Sequence, residues 1–190
     1  SSCHTEEGQL AQLVAYDETE ELQANQEHPV KRMRYKRIQS QHSDRNTFFI
    51  PFKEALLQFT ESKYERLKPL ILEQDMLRIQ EHVQKGNLTY EQLTLFYLYR
   101  IYRFETARDT YLNAIIALNP EVLEQARMRD QNRAQELSHP LYGMPILLKD
   151  NINALPMSTT AGAAAFKDNI PSDDAFLVKR LKVKGALILG

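Results

Sequence analysis

Two short apolar runs, Pro145-Ile146-Leu147-Leu148-Lys149 and Ala186-Leu187-Ile188-Leu189-Gly190, most constrain what this chain can fold into. Each is bounded by turn residues, so each reads as a buried strand. Between them lie a small-residue loop and a helical pattern. Asp173 or Asp174 stands in cap position, Ala175, Leu177, Val178 and Leu181 face inward, and Gly185 ends the helix. Strand, loop, helix, strand is the outline of a parallel crossover in a sheet covered on both faces. Two strands do not complete such a sheet, so the expectation is the N-terminal piece of a larger fold.

Upstream the grammar is helical. Phe52, Ala55, Leu56 and Phe59 recur at three- and four-residue spacing, which predicts a helix over 51–67. A second helix, 69–85, carries Leu72, Met76, Ile79 and Val83 on one face, with Gly86 placed for a left-handed C-cap. Thr89 followed by Gln92 is a capping-box pattern. The helix it opens, with Leu93, Phe96, Tyr97, Tyr99, Arg100, Ile101 and Arg103, reads as largely buried; its aromatics suit a core better than a ligand platform. Asn119-Pro120 marks a further start, cap then proline in the first turn, and that helix runs through Val122, Leu123, Ala126 and Met128 toward Glu136.

The fold class expected is therefore α/β: N-terminal helices followed by the start of a mixed or parallel sheet covered by helices. Residues 1–47 form a polar extension, and 48–190 begin the domain, with helices in 51–136 and the first α/β segment in 141–190. In the extension Lys31, Arg32, Arg34, Lys36 and Arg37 alternate with Met33 and Tyr35, as an edge strand does. A solvated surface segment is the preferred reading over a phosphate or headgroup contact.

With 24 basic against 25 acidic residues there is no global field to draw nucleic acid or an anionic membrane. No window approaches the roughly 18–20 apolar residues that a spanning helix needs. Cys3 is the single cysteine, and the five histidines form no i, i+4 pair, so neither a disulfide framework nor a metal site is expected. No glycine-rich phosphate loop is present, and no cofactor is expected. Ser1-Ser2-Cys3 reads either as the end of a bacterial lipoprotein signal or as a chain end with an idle cysteine. In the first case Cys3 is a lipid anchor and the location is the cell envelope or periplasm; in the second the location is cytoplasmic. Asn87-Leu88-Thr89 is a formal glycosylation sequon, already explained by the helix cap.

Lys149 is the residue with chemistry to explain. It ends an apolar strand, where α/β folds place their sites. Desolvation by Ile146, Leu147 and Leu148 would disfavour its ammonium form and make a neutral amine accessible. Such an amine acts as general base toward a hydroxyl or forms a Schiff base with a carbonyl. The plainer reading pairs Lys149 with Asp150. Ser158, Thr159 and Thr160 are the nearby hydroxyls, followed by Gly162. A Ser158–Lys149 dyad is conceivable, but such runs more often bond local backbone in a turn.

The stretch LYGMPILLKDNINALPMSTTAGAAAF, then SDDAFLVKRLKVKGALILG, resembles the opening of the amidase signature family. That family shows a glycine-x-Pro-strand-Lys-Asp-Asn segment, a Thr-Thr-Ala-Gly loop, an Asp-Ala helix and a Gly-Ala-Ile strand. LNAIIALNPEVLEQARMRD and GNLTYEQLTLFYLYRI also look like its N-terminal helices, so the likeness runs in order from about Asp75 to Gly190. The wording is similar to that of extracytoplasmic amidases of bacteria with lipoprotein-type leaders. The resemblance implies hydrolysis of a carboxamide C–N bond in a small-molecule or peptide amide by a Ser–cisSer–Lys triad, with Lys149 as the base. Neither family serine maps within these residues; the glycine- and serine-rich segment that carries them is expected beyond Gly190. The usual Lys-Thr-Asn-like continuation is also missing, and Ala163 stands where many members have serine. On this reading the 190 residues alone are inactive. The alternative is a non-catalytic remnant or binding module of the same fold.

Overall fold

The computed structural model describes residues 19–34, 45–107, 110, 112–133 and 139–190. Cys3, His4, Tyr35, Lys36, Arg37, His42 and the stretch 134–136 lie outside the described residues. Among those described, the elements in order are α1 (Thr19–Ala24), a 3-10 turn at Lys31–Arg34, a 3-10 stretch at Arg45–Phe52, α2 (Lys53–Gln58), α3 (Glu61–Ile71), α4 (Met76–Gln84), α5 (Tyr90–Glu105), α6 (Val122–Gln131), β1 (Pro145–Ile146), a 3-10 turn at Ala164–Phe166, α7 (Phe176–Val183) and β2 (Leu187–Ile188). Around Met33, where alternation could suit an edge strand, Lys31–Arg34 form a 3-10 turn with Lys31, Met33 and Arg34 exposed, in keeping with the preferred reading of a solvated segment.

The helix expected over 51–67 is two helices. Phe59 leaves helical geometry, and Thr60 starts afresh, its hydroxyl accepting from the Lys63 N–H at 3.2 Å. Pro69 then falls inside α3 rather than opening the next helix, and Asp75 caps α4 by accepting from Arg78 N–H at 2.8 Å. Apolar spacing continues across both breaks, while the cap side chains decide where each helix begins. Met76, expected on the inner face of α4, is exposed; Ile79, Gln80 and Val83 form that face. The two cap patterns expected upstream of α5 are both present. Gly86 (φ +76) closes α4 with its N–H on Val83 O and Asn87 N–H on His82 O, the paired bonds of a Schellman end. Thr89 and Gln92 make the reciprocal capping box of α5. The first turn of α5 gains a distant cap as well: the Asp130 carboxylate of α6 accepts from the Tyr90 and Glu91 N–H groups at 2.9 and 3.0 Å. Negative charge there complements the helix dipole.

Helix α5 lies between two apolar clusters. One joins Phe49, Phe52 and Leu56 to Leu98 of α5, Val122 and Ala126 of α6, and Leu187 and Leu189 at the sheet. The other joins Tyr64, Leu67 and Ile71 of α3 to Ile79 and Val83 of α4 and to Leu93 and Phe96 of α5, with Tyr64 and Phe96 stacked 4.7 Å apart. Its aromatics are core, and Arg103, expected within a largely buried helix, is exposed and paired with Glu61 at 2.6 Å.

β1 and β2 pair in parallel, Pro145 with Leu187 and Ile146 with Ile188. Alternation along β2 sends Leu187 and Leu189 toward α5 and α6, and Ile188 toward Val178 of α7 and Ala154. The sheet is thus covered on both faces, with helices before the first strand and a helical crossover between the two.

Two expectations about the crossover need correction. Neither Asp173 nor Asp174 caps α7, whose N-cap position is Ala175 without a side-chain bond. Asp174 instead accepts from Leu155 N–H at 2.7 Å and from Lys182 Nζ at 2.7 Å, while Lys182 also donates to Leu155 O at 3.1 Å. This clamp binds α7 to the preceding loop. Leu177, expected to face inward, is exposed, because Val178 and its neighbours Ala175 and Leu181 already fill the single face turned to the sheet.

Candidate functional site

Lys149 stands just past the carboxyl end of β1, beside Gly190 at the end of β2. The ladder extends past the formal strands: Leu189 N–H donates to Ile146 O at 2.8 Å, and Leu148 N–H to Gly190 O at 2.9 Å. Beyond these ends opens a cavity of about 220 Å³. Lys149, Asp150 and Ser158 are its polar lining residues; Leu147, Ile152 and Met157 line it as well, and the segment 114–117 forms a further wall. Gly190 is pressed against that wall, since a Cβ there would sit 2.5 Å from Ala117 O.

The desolvation expected of Lys149 is not present among the described residues. Its side chain is exposed, Ile146 and Leu148 are only partly buried, and Leu147 is 50% exposed. The physical reason is topological: among the described residues the sheet has two strands, so β1 has a neighbour on one side only.

Lys149 does not pair with Asp150 either, because Asp150 holds the loop. Its carboxylate accepts from the Thr160 hydroxyl and from the N–H groups of Thr160 (3.2 Å) and Gly162 (3.4 Å), and its carbonyl accepts from Ala161 N–H at 2.8 Å. Ala161 and Gly162 both take left-handed backbone, at φ +50 and +75, which turns three donors onto one side chain. Thr160 therefore has the local-turn role that its spacing favours. Ser158 shares the cavity with Lys149, but no hydrogen bond joins them among the described residues. Thr159 Oγ1 is buried without a partner among the described residues. The one-residue step from Lys149 to Asp150 thus separates two jobs: the first side chain is open to the cavity, the second fixes the loop beside it.

Sequence reasoning misses one residue that holds this site together. Asn119 has the sequence context of a helix cap, but the N-cap position of α6 is Glu121, without a side-chain bond; Asn119 Oδ1 accepts instead from Glu121 N–H at 3.0 Å, in the turn that leads into the helix. Two further bonds cross to the sheet. Its N–H donates to Leu189 O at 2.9 Å, and its Nδ2 to Ile188 O at 2.9 Å. The signal in the sequence, an asparagine before proline, carries only the first of these.

Residues 92–190, more than half of the chain, match the family model described as Amidase. The chain belongs to the amidase family. The match starts inside α5 and takes in α6, both strands, Lys149, Asp150 and the whole loop between them. An amidase-like protein of Schizosaccharomyces pombe is 36% identical over 115 residues, 60% of this chain and 19% of that protein. One chain of the glutamyl-tRNA(Gln) amidotransferase of Exiguobacterium sibiricum is 38% identical over 82 residues, 43% of this chain and 17% of that one. Among solved structures, an amidase family protein from Bacillus anthracis aligns with a TM-score of 0.69 at 34% identity, covering 74% of this chain and 28% of that one. The native peptide amidase from Stenotrophomonas maltophilia aligns at 0.59 and 43% identity, covering 63% and 24%. The chain therefore spans about a fifth of the length of these curated relatives. Its helices and two-stranded parallel sheet are part of the amidase signature fold.

Proposed function

We propose that these residues contribute the general base of an amide hydrolase that acts on carboxamide C–N bonds. The observation that carries this reading is the position of Lys149 within the family match, at the carboxyl end of a parallel strand and on the lining of a cavity. In the proposed cycle the neutral Lys149 amine takes the proton of a bridging serine held by a cis peptide, and that serine takes the proton of the nucleophilic serine. The nucleophile adds to the amide carbonyl, with the oxyanion held by backbone N–H groups of a glycine-rich loop. The C–N bond then breaks, the proton returns to the leaving amine, and water cleaves the acyl-enzyme. Neither serine has a counterpart within residues 1–190, so both are assigned to parts of the protein outside them.

Asp150 supports the reading from the second direction. Its carboxylate is taken up by the loop donors, so Lys149 stays open to the cavity rather than tied to that carboxylate.

The test uses the full-length protein and a panel of primary carboxamides, followed by ammonia release. Lys149→Ala should lower kcat by roughly 100-fold or more, the scale of removing a general base, while leaving far-UV circular dichroism unchanged. Turnover at the parent rate in that variant would take Lys149 out of the mechanism.

A further inference from the structure

Asn119 lies at the junction of three parts of the fold that converge on Lys149, and it is 1% exposed. Each of its polar groups is committed. Oδ1 holds Glu121 N–H, which fixes the entry to α6; Nδ2 and the backbone N–H hold Ile188 O and Leu189 O, which fix the end of β2. From there the ladder passes the constraint to β1, because Leu189 N–H bonds Ile146 O and Leu148 N–H bonds Gly190 O. Leu148 is the residue next to Lys149. The same asparagine ends the segment 114–117, which forms the cavity wall and meets Gly190 at its backbone.

We infer that Asn119 is a positioning residue for the reaction: it holds the strand end that carries Lys149, and the cavity wall, at a fixed separation. The inference rests on the reading of Lys149 as general base. An amide side chain suits the task, since it presents an acceptor toward the helix and a donor toward the strand from one planar group. Loosening the strand end would displace the base from the hydroxyl it must reach.

Asn119→Ser separates the two jobs. A serine hydroxyl can still accept from Glu121 N–H in a local turn, but it is too short to hold that group and reach Ile188 O together. In the full-length protein this variant should lose roughly 10- to 100-fold in kcat, the cost of a small misplacement of a reacting group, with KM nearly unchanged. Leu67→Ala, in the remote α3–α5 cluster, serves as the control for lost stability and should keep its kcat per folded molecule. Parent kcat in Asn119→Ser, or a loss confined to KM, would overturn the inference. An equal kcat loss in Leu67→Ala at the same drop in Tm would overturn it too, by reducing Asn119 to a general stabiliser. Should the serine variant not fold, Asn119→Thr, whose hydroxyl can also accept from Glu121 N–H, is read on kcat and KM in the same way. Loss of turnover in Lys149→Ala with none in Asn119→Ser would sink this inference alone; unimpaired Lys149→Ala would sink the reading beneath it.

Discussion

Two glycines with nearly the same backbone should respond very differently to one added methyl group. Gly86 and Gly143 have φ +76 and +71, a region that an L-residue occupies at a cost of about 1–2 kcal/mol. Alanine also stiffens the unfolded chain, which returns about 0.4–1 kcal/mol. Around Gly86 nothing lies within 4 Å of the new Cβ, so Gly86→Ala should lose only the net backbone cost, about 1 kcal/mol. At Gly143 the new Cβ would stand 2.2 Å from Tyr90 Cδ1 and 2.5 Å from Cγ and Cε1. That ring is fully buried, packed edge-on against Tyr142, and tied by its hydroxyl to Gln80 Oε1 at 2.7 Å. Displacing it adds about 1–3 kcal/mol of overpacking and about 1–3 kcal/mol for the strained or broken buried hydrogen bond. The total for Gly143→Ala, with the net backbone cost included, is roughly 3–7 kcal/mol. Urea unfolding followed by far-UV circular dichroism measures both. With a slope of about 2 kcal/mol per molar, the midpoint should fall about 0.5 M for Gly86→Ala and roughly 1.5–3.5 M for Gly143→Ala. Equal midpoint shifts would refute the argument, because they would mean that the Tyr90 ring yields to the methyl group at no cost.

Two further tests use pH. Burial above all, with Tyr142 and the Asp130 carboxylate adding to it, pushes the Tyr90 phenol up to about 12. A raised folded value means stability that is complete below the unfolded value of about 10 and lost as pH rises through the folded one. The urea midpoint should therefore decline between about pH 10 and 12, and less steeply in Tyr90→Phe; the same slope in both proteins would exclude Tyr90 as its source. Asp174 has the opposite sign. Burial acts to raise its carboxyl, but the Lys182 ammonium and the Leu155 N–H outweigh it and hold the carboxyl below the usual aspartate range. Its contribution is present above the unfolded value of about 3.9 and fades as pH falls through the lower folded one. Asp174→Asn should be less stable than the parent near neutral pH, and the gap should narrow on acidification; a gap independent of pH would count against the clamp.

The parts of the fold legible in the sequence are those whose cause is local. A capping box needs only Thr89 and Gln92, and a Schellman end needs only a glycine after α4; both lie within one helical turn. The parallel crossover is legible for a similar reason, because apolar runs flanking a helical pattern leave few ways to bury both faces of a sheet. The break at Phe59 and Thr60 is not, since apolar spacing runs straight through it and the hydroxyl of Thr60 reveals its role only once bonded. Asp174 has the sequence grammar of a helix cap, yet it bonds Leu155 and Lys182, a choice made by how the loop folds back over α7.

At the site the division is the same. By itself the sequence determined that Lys149 ends a strand, that hydroxyls follow in a turn, and that helices precede a parallel pair. It also carried a likeness, in order and over more than half its length, to one family. Tertiary structure decided which groups answer which. Asp150 turns to the Thr160 loop rather than to Lys149, and Asn119 reaches across to two carbonyls of β2. It also decided exposure, leaving Lys149 open to a cavity because its strand has one neighbour among the described residues. Periodicity and caps are set by residues within a few positions of one another, whereas a buried donor takes whichever acceptor packing brings within about 3 Å, and packing is a property of the whole chain.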